Sequence, residues 1–315
     1  MSGCTSPTTK GVSPWSEPST AAPGSGSEPA ATVVFLTHTL DGEVVRRYRR
    51  LVRETPPDHE VRLAVDVEAG ERMADTAREI AGSSAFPFRF GDLPADHHRR
   101  PWAGDNATSL VPGNVALLLL HLARSRPPRD HWWLIEYDVA YTGHWRTFFE
   151  HFRSSDADLL GTTLQPRSNR PDFHWWDSFE APEPLRETEL LRGLFPVMRL
   201  SRTALRIVDR VYAEGWSGHH EVVLPTSLRD RGRKIEDIGG EGPFVSAGNE
   251  NRFYTNTPGR TGLAPGTFVY RPARRWPGLR PDTLWHPVKP TAGRLAPYLK
   301  LARIRLARWM SAGPT

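Results

Sequence analysis

Two carboxylates, Glu136 and Asp138, stand two positions apart at the end of the apolar run in HWWLIEYDVAYTGHW, residues 131–145. WWLI reads as a buried strand. Side chains alternate along a strand, so residues two apart share a face. The spacing predicts Glu136 and Asp138 on one face and Tyr137 on the other. Two acids a few ångströms apart repel unless a cation, a proton or a basic partner lies between them. A carboxylate-x-carboxylate pair at a strand end suits Mg²⁺ or Mn²⁺, hard ions that take oxygen ligands and keep positions open for phosphate oxygens. Such an ion neutralises charge on a departing diphosphate. The same spacing also fits a helix-capping acid beside a surface acid, or two acids paired with arginines.

The elements that must position this pair follow from hydrophobic periodicity. ATVVFLTHT predicts a buried strand, and GEVVRRYRRLVRE a helix with Val44, Tyr48, Leu51 and Val52 on one face. EVRLAVDV, residues 60–67, is a second strand. GERMADTAREIAG is a second helix with Met73, Ala77 and Ile80 in register. A polar loop spans about 91–111. PGNVALLLLHLARS is a helix with Pro near its start. WWLIEYDV is a strand, TGHWRTFFEHFRSS a helix and ADLLGT a short strand. The stretch 165–192 is irregular and rich in Trp. PVMRLSRTALRIVDRVYAEG predicts a strand, a Ser cap and a helix. HHEVVLPTSLRDRG starts another helix. Alternating strands and helices predict an α/β fold with one mostly parallel sheet flanked by helices. In such sheets ligands bind at the carboxyl ends of the strands, where the EYD acids lie.

Bulk properties bound the class. The chain has 315 residues, 38% of them hydrophobic and 24% charged, as expected of a globular protein with a real core. No apolar run reaches the 18 residues of a membrane span, and no apolar leader opens the chain. The one cysteine, Cys4, makes an internal disulfide impossible and points to a reducing, cytoplasmic location. The net charge of +5 comes from scattered arginines. They suit oxyanion binding but equally a compositional bias. Residues 1–30 are rich in Ser, Thr, Pro and Gly and predict a disordered tail. Residues 291–310 predict a basic amphipathic helix, with Leu295, Tyr298, Leu299 and Trp309 on one face and Arg294, Lys300, Arg303 and Arg308 elsewhere. Such a helix suits peripheral contact with an anionic membrane at its inner face, or packing on the main domain. There is no P-loop, GxGxxG, CxxC pair or GxSxG elbow, and no nucleic-acid-binding module is expected.

Four motifs in order carry a resemblance. WWLIEYDVAYTGHWRTFF resembles an uncharacterised bacterial and fungal family of glycosyltransferase-like proteins with GT-A architecture, where an acid-aromatic-Asp-Val sequence replaces the DxD motif. PVMRLSRTAL is similar to the acceptor-side strand and helix of that architecture. HHEVVLPTSL and LWHPVK (284–289) resemble segments of branching N-acetylglucosaminyltransferases and their relatives. The resemblance covers roughly residues 31–290 as one domain. It implies a nucleotide-sugar-dependent glycosyltransferase assisted by Mn²⁺ or Mg²⁺, acting on an unidentified glycan, lipid-linked or small-molecule acceptor. Asp138, with Glu136 beside it, would hold the metal, and His286 would be a further ligand. Glu221 looks like the general base, or a helix-N-terminal acid. Lys289 would face phosphate. Thr37, His38, Asp66 and Glu136 would lie near the nucleotide. The family pattern has Asp where Glu136 stands, which leaves metal dependence open. Trp175 and Trp176, with His174 and Asp177, could form an acceptor platform or a loop packed on the core. Two other readings use the same residues: a metal-dependent phosphoester or diphosphate hydrolase, and a catalytically silent protein that docks on a membrane or polyanion.

Overall fold

The computed structural model describes residues 30–68, 70–93, 113–125, 129–256, 266–269 and 273–289. The predicted tail, apart from Ala30, and the predicted basic helix with its membrane contact lie outside these residues. Fifteen elements follow in order: β1 (Ala31–Thr37), α1 (Gly42–Glu54), β2 (His59–Asp66), α2 (Glu71–Ala81), β3 (Ala85–Phe88), α3 (Val115–Arg124), β4 (His131–Glu136), β5 (Ala140–Tyr141), α4 (Trp145–His151), β6 (Leu159–Pro166), β7 (Leu191–Ser201), α5 (Arg202–Ala213), α6 (His220–Asp230), β8 (Ile235–Asp237) and β9 (Leu284–Trp285). Seven strands form one sheet in the order β3-β2-β1-β4-β7-β6-β8, and β5 pairs with β9. Within the seven-stranded sheet all neighbours are parallel except those of β7, which runs antiparallel to β4 and β6; the β5–β9 pair is antiparallel. The expected mostly parallel α/β sheet is therefore what the chain forms.

Helices cover both faces, which is why the central strands are apolar throughout instead of alternating. Val33, Phe35, Trp133 and Ile135 face α1, α2 and α4. Val34, Leu36, Trp132 and Leu134 face α3, α5 and α6. Local signals set the helix ends. The Asp41 side chain accepts from the Glu43 and Val44 amides at 2.9 Å and caps α1. Ser201 accepts from the Ala204 amide and caps α5, as predicted. Val44, Tyr48 and Leu51 of α1 are buried, but Val52 is 45% exposed. One residue is 100° of helix, and that rotation carries Val52 off the face assigned to it. In α2, Ala74 and Ala77 form the buried line, with Met73 and Ile80 half-buried at its margins.

One correction bears on the site. The strand ends at Glu136, and Tyr137 and Asp138 belong to a turn closed by the Val139 amide on the Glu136 carbonyl at 3.0 Å. The turn, and not strand alternation, places Asp138. Beyond it, β5 pairs with β9, and the Val288 amide donates to the Asp138 carbonyl at 2.7 Å. From α1, Arg47 donates to the carbonyls of Tyr137 (3.1 Å) and Val288 (2.8 Å), fixing both segments at once. Strand β7 runs on past β4: Ile135 pairs with Val197, so residues 191–195 project beyond the carboxyl end of β4.

Phe148 of α4 sits in the aromatic centre of one face, with rings of Trp133, Tyr141, Trp145, Phe149, Phe152 and Phe253 at 5.2–5.7 Å. Phe148→Ala should cost about 3–5 kcal/mol of stability in chemical denaturation, whereas Val52→Ser should stay within about 0.5 kcal/mol. Equal effects would show the face assignment of these helices to be wrong.

Candidate active site

The strand order reverses between β1 and β4, and open α/β sheets bind ligands in the crevice outside the carboxyl ends at such a point. Leu36 pairs with Glu136 across this junction, and the Tyr137 amide donates to the Leu36 carbonyl at 2.9 Å. Thr37 and His38 follow directly on β1. The site is thus built on two central strand ends.

Glu136, Asp138 and His286 each offer a ligand atom, and these atoms lie within 4.8 Å of one another. Proton bookkeeping makes this cluster informative. His286 Nδ1 lies 2.7 Å from the Val269 carbonyl, which only accepts, so Nδ1 carries the hydrogen. The Nε2 lone pair then faces Asp138 Oδ1 at 3.5 Å. Burial pulls the His286 pKa below its ordinary value, which keeps the ring neutral. Asp138 is 3% exposed, and its Oδ1 is sealed from solvent without a hydrogen-bond partner. Two electron-rich atoms therefore face each other with no proton between them, a costly arrangement that a cation resolves. Lys289 Nζ lies 3.3 Å from the other Asp138 oxygen. Burial, then the charges of Asp138 and Glu221, hold the Glu136 carboxyl well above the usual range, and Lys289 only partly opposes them. Two carboxylates and one imidazole nitrogen fit a divalent ion such as Mn²⁺ or Mg²⁺, with positions left for ligand oxygens.

Glu221 stands in the first turn of α6, opposite this cluster. The His219 ring caps the helix by accepting from the Glu221 amide through Nδ1 at 3.2 Å. Gly218 makes the approach possible: its φ is +126°, and a Cβ there would lie 2.6 Å from the Ser178 carbonyl oxygen. Burial pushes the Glu221 carboxyl up to about 8, against the opposing charge of Arg192 and an amide hydrogen bond from Phe195. Burial also pulls His220 down to about 4 and His219 further. Both rings are neutral at pH 7. Glu221 lines a cavity of about 640 Å³ together with Arg170, Phe173, His174, Arg192 and Val269. The Val269 carbonyl is the group that orients His286, so cavity and cluster adjoin.

The sequence-predicted residues divide. Glu136, Asp138, His286 and Lys289 come together, with Glu221 close enough to perturb Glu136. His38 is exposed at the same edge, its ring edge-on to Tyr137 at 4.8 Å. The Thr37 hydroxyl is committed to Thr39, donating to its carbonyl at 2.6 Å. Asp66 accepts from the Glu68 amide at 3.0 Å, as a turn residue does. Of the tryptophans, Trp176 is buried against Leu190 and Val222, while Trp175 stacks on His219 at 4.4 Å and 7°. Phe173 and His174 of the same stretch line the cavity. Sequence reasoning missed Arg192. Its only signal is a charge inside the apolar run LRGLFPV.

No family model and no curated protein sequence matches this chain, so the family resemblance rests on its motifs alone. Solved structures are similar in outline. A protein assigned as a glucose-1-phosphate thymidylyltransferase from Bacillus anthracis, in complex with sucrose, gives a TM-score of 0.39 at 9% identity, over 66% of this chain and 87% of that one. The galactosyltransferase LgtC, in complex with donor and acceptor sugar analogues, gives 0.37 at 12%, over 70% and 74%. The mannosyltransferase PcManGT from Pyrobaculum calidifontis, in complex with GDP-Man and Mn²⁺, gives 0.36 at 12%, over 78% of this chain and 62% of that one. These superpositions are too loose to transfer an activity, so the functional reading rests on the site's own geometry.

Mn²⁺ at one hundred times its Kd should raise the unfolding free energy by about 2.7 kcal/mol. Asp138→Asn and His286→Ala should each abolish that gain. A variant that responds to Mn²⁺ as the wild type does would remove the residue from the ligand set.

Proposed function

We propose that the chain is a nucleotide-sugar-dependent glycosyltransferase, assisted by a divalent metal, with Glu221 as general base. The observation that carries this reading is the proton-free pair of Asp138 Oδ1 and His286 Nε2 at the switch point of the sheet. It opens toward a cavity that presents one carboxyl of raised pKa. Asp138, His286 and Glu136 are the residues that would hold the ion, whose chemistry is to neutralise charge on the diphosphate. Lys289 adds a point charge beside it. Among the described residues, no helix is long and apolar enough to cross a membrane.

In this reading the donor's nucleoside lies along the β1 and β2 ends, near Thr37, His38 and Asp66. The Glu221 carboxylate takes the proton of an acceptor hydroxyl. That oxygen bonds to C1 of the sugar while the bond from C1 to the phosphate oxygen breaks. The electron pair leaves with the nucleoside diphosphate. Direct displacement on the face opposite the leaving group inverts C1. A raised pKa near the working pH suits a base, because the group then has both affinity for a proton and a usable ionised fraction. The diphosphate-hydrolase alternative uses the same cluster and would turn over donor without any acceptor.

Glu221→Gln should lower kcat by about 10²–10⁴-fold, the usual contribution of a positioned base. The wild type should gain kcat/KM with rising pH, because the required form of Glu221 is the deprotonated one. The gain should end near pH 8, or lower with a cation beside the group. A rate independent of pH from 5 to 8, or a fully active Glu221→Gln, would exclude this base. Asp138→Asn should lower turnover by orders of magnitude at unchanged fold. Donor turnover in the absence of every acceptor would favour the hydrolase.

A further inference from the structure

Arg192 is a buried cation with an empty hand. It lies on the part of β7 that projects beyond β4, paired in register with Gln165 of β6. It is 9% exposed, and its Nε is sealed and unpartnered. Among the described residues its side chain makes no ion pair and no hydrogen bond. Its guanidinium carbon lies over the Phe173 ring, 4.6 Å from the centroid. Burial pulls its pKa down to about 10, against an ordinary value of 12.5. That Nε has lost its hydration without a hydrogen-bond partner to replace it. Arg192 and Arg170 both line the cavity. Arg170 is half-exposed and bonded to Asp172 only at 3.4 Å. The acids of the cavity, Glu221 and Glu241, do not come within ion-pairing distance of Arg192.

We propose that this cavity takes an acceptor bearing an oxyanion, a carboxylate or a phosphate, gripped by Arg192 with help from Arg170. The guanidinium fork matches the two oxygens of such a group and would hold it in bidentate fashion. Phe173 and His174 supply flat walls for the body of the acceptor. Holding the anion at Arg192 leaves the rest of the molecule to reach toward Glu221, where a hydroxyl would lose its proton. The inference deepens the transferase reading and rests on it only for the word acceptor. Anion binding itself requires no catalysis.

The test is equilibrium binding by calorimetry or NMR titration, in buffer stripped of divalent metal so that the Asp138 cluster cannot capture the anion. The probes are inorganic phosphate, methyl β-D-glucuronide and the uncharged methyl β-D-glucoside. At least one anion should bind about tenfold or more tightly than the glucoside, the size of one charge-assisted hydrogen bond. Preference for the glucuronide identifies a carboxylate, and preference for phosphate identifies a phosphoryl group. Arg192→Met should erase the preference, Arg192→Lys should keep part of it, and Asp138→Asn should keep all of it. Equal binding of all three probes to the wild type, or a preference that survives Arg192→Met, overturns the proposal. If Arg192→Met does not fold, salt decides on the wild type. Rising NaCl should weaken anion binding severalfold and leave the glucoside unchanged, and an equal response of both overturns the proposal. Intact anion binding with no turnover of any nucleotide-sugar would instead sink the transferase reading and leave the anion site standing.

Discussion

The arrangement of the whole site depends on one hydrogen atom, the one His286 gives to the Val269 carbonyl. Once it is committed there, the other ring nitrogen can only accept, and it accepts beside an oxygen of Asp138 that has no donor of its own. Everything else serves to hold these two atoms face to face. The chain leaves the sheet at Glu136 and turns, which brings Asp138 to the strand end. It must then receive a segment from far along the sequence. Arg47 and Arg50 of α1 reach the backbone on either side of this meeting, donating to the Tyr137, Val288 and Tyr141 carbonyls. The helix thus supports the site by hydrogen bonds as well as by its apolar face.

A second layer of constraint is electrostatic. Burial strengthens charge interactions, and two carboxyls of the crevice lie close enough to Glu136 to raise it. Asp138 and Glu221 raise Glu136 and Lys289 opposes them, while Arg192 opposes the rise of Glu221. The result is a gradient across the crevice. At the strand ends the unmet demand is for a cation. Across the cavity, at Arg192, it is for an anion. In the transferase reading proposed above, a metal-bound diphosphate donor and a negatively charged acceptor would together meet both demands.

Much of this architecture can be read in the chain, and the gaps have physical causes. Strand and helix alternation is plain because both sheet faces are covered and the strands are apolar runs. The Ser201 cap is plain because side-chain capping is local chemistry. The direction of β7 is hidden, since a strand buried on both faces looks the same parallel or antiparallel. The two-residue strands β5 and β9 carry no period, and their pairing is a tertiary event. Hence His286 could be suspected from a motif, while its tautomer could not, because that depends on a carbonyl at Val269. Arg192 escaped for a related reason. A charge in an apolar strand is conspicuous, but whether it has a partner is a fact of three dimensions. Val52 shows the limit within a single helix, where one residue separates the buried line from solvent.

The β5–β9 clasp has a consequence for how firmly the site is held. It joins positions far apart in the chain: Thr142 and Thr283, which bond to each other, are 141 residues apart. Its backbone pairing is two residues a side, outside the seven-stranded sheet. Two residue pairs closed over so long a loop supply little stability by hydrogen bonding alone. The side chains of the clasp are central, however: Tyr141 and Leu284 belong to the same buried cluster as Phe148, so parting the clasp opens that cluster as it carries His286 and Lys289 away from Asp138. An ion held by Asp138 and His286 would then be released only with partial opening of the core, and its retention would report on the stability of that cluster.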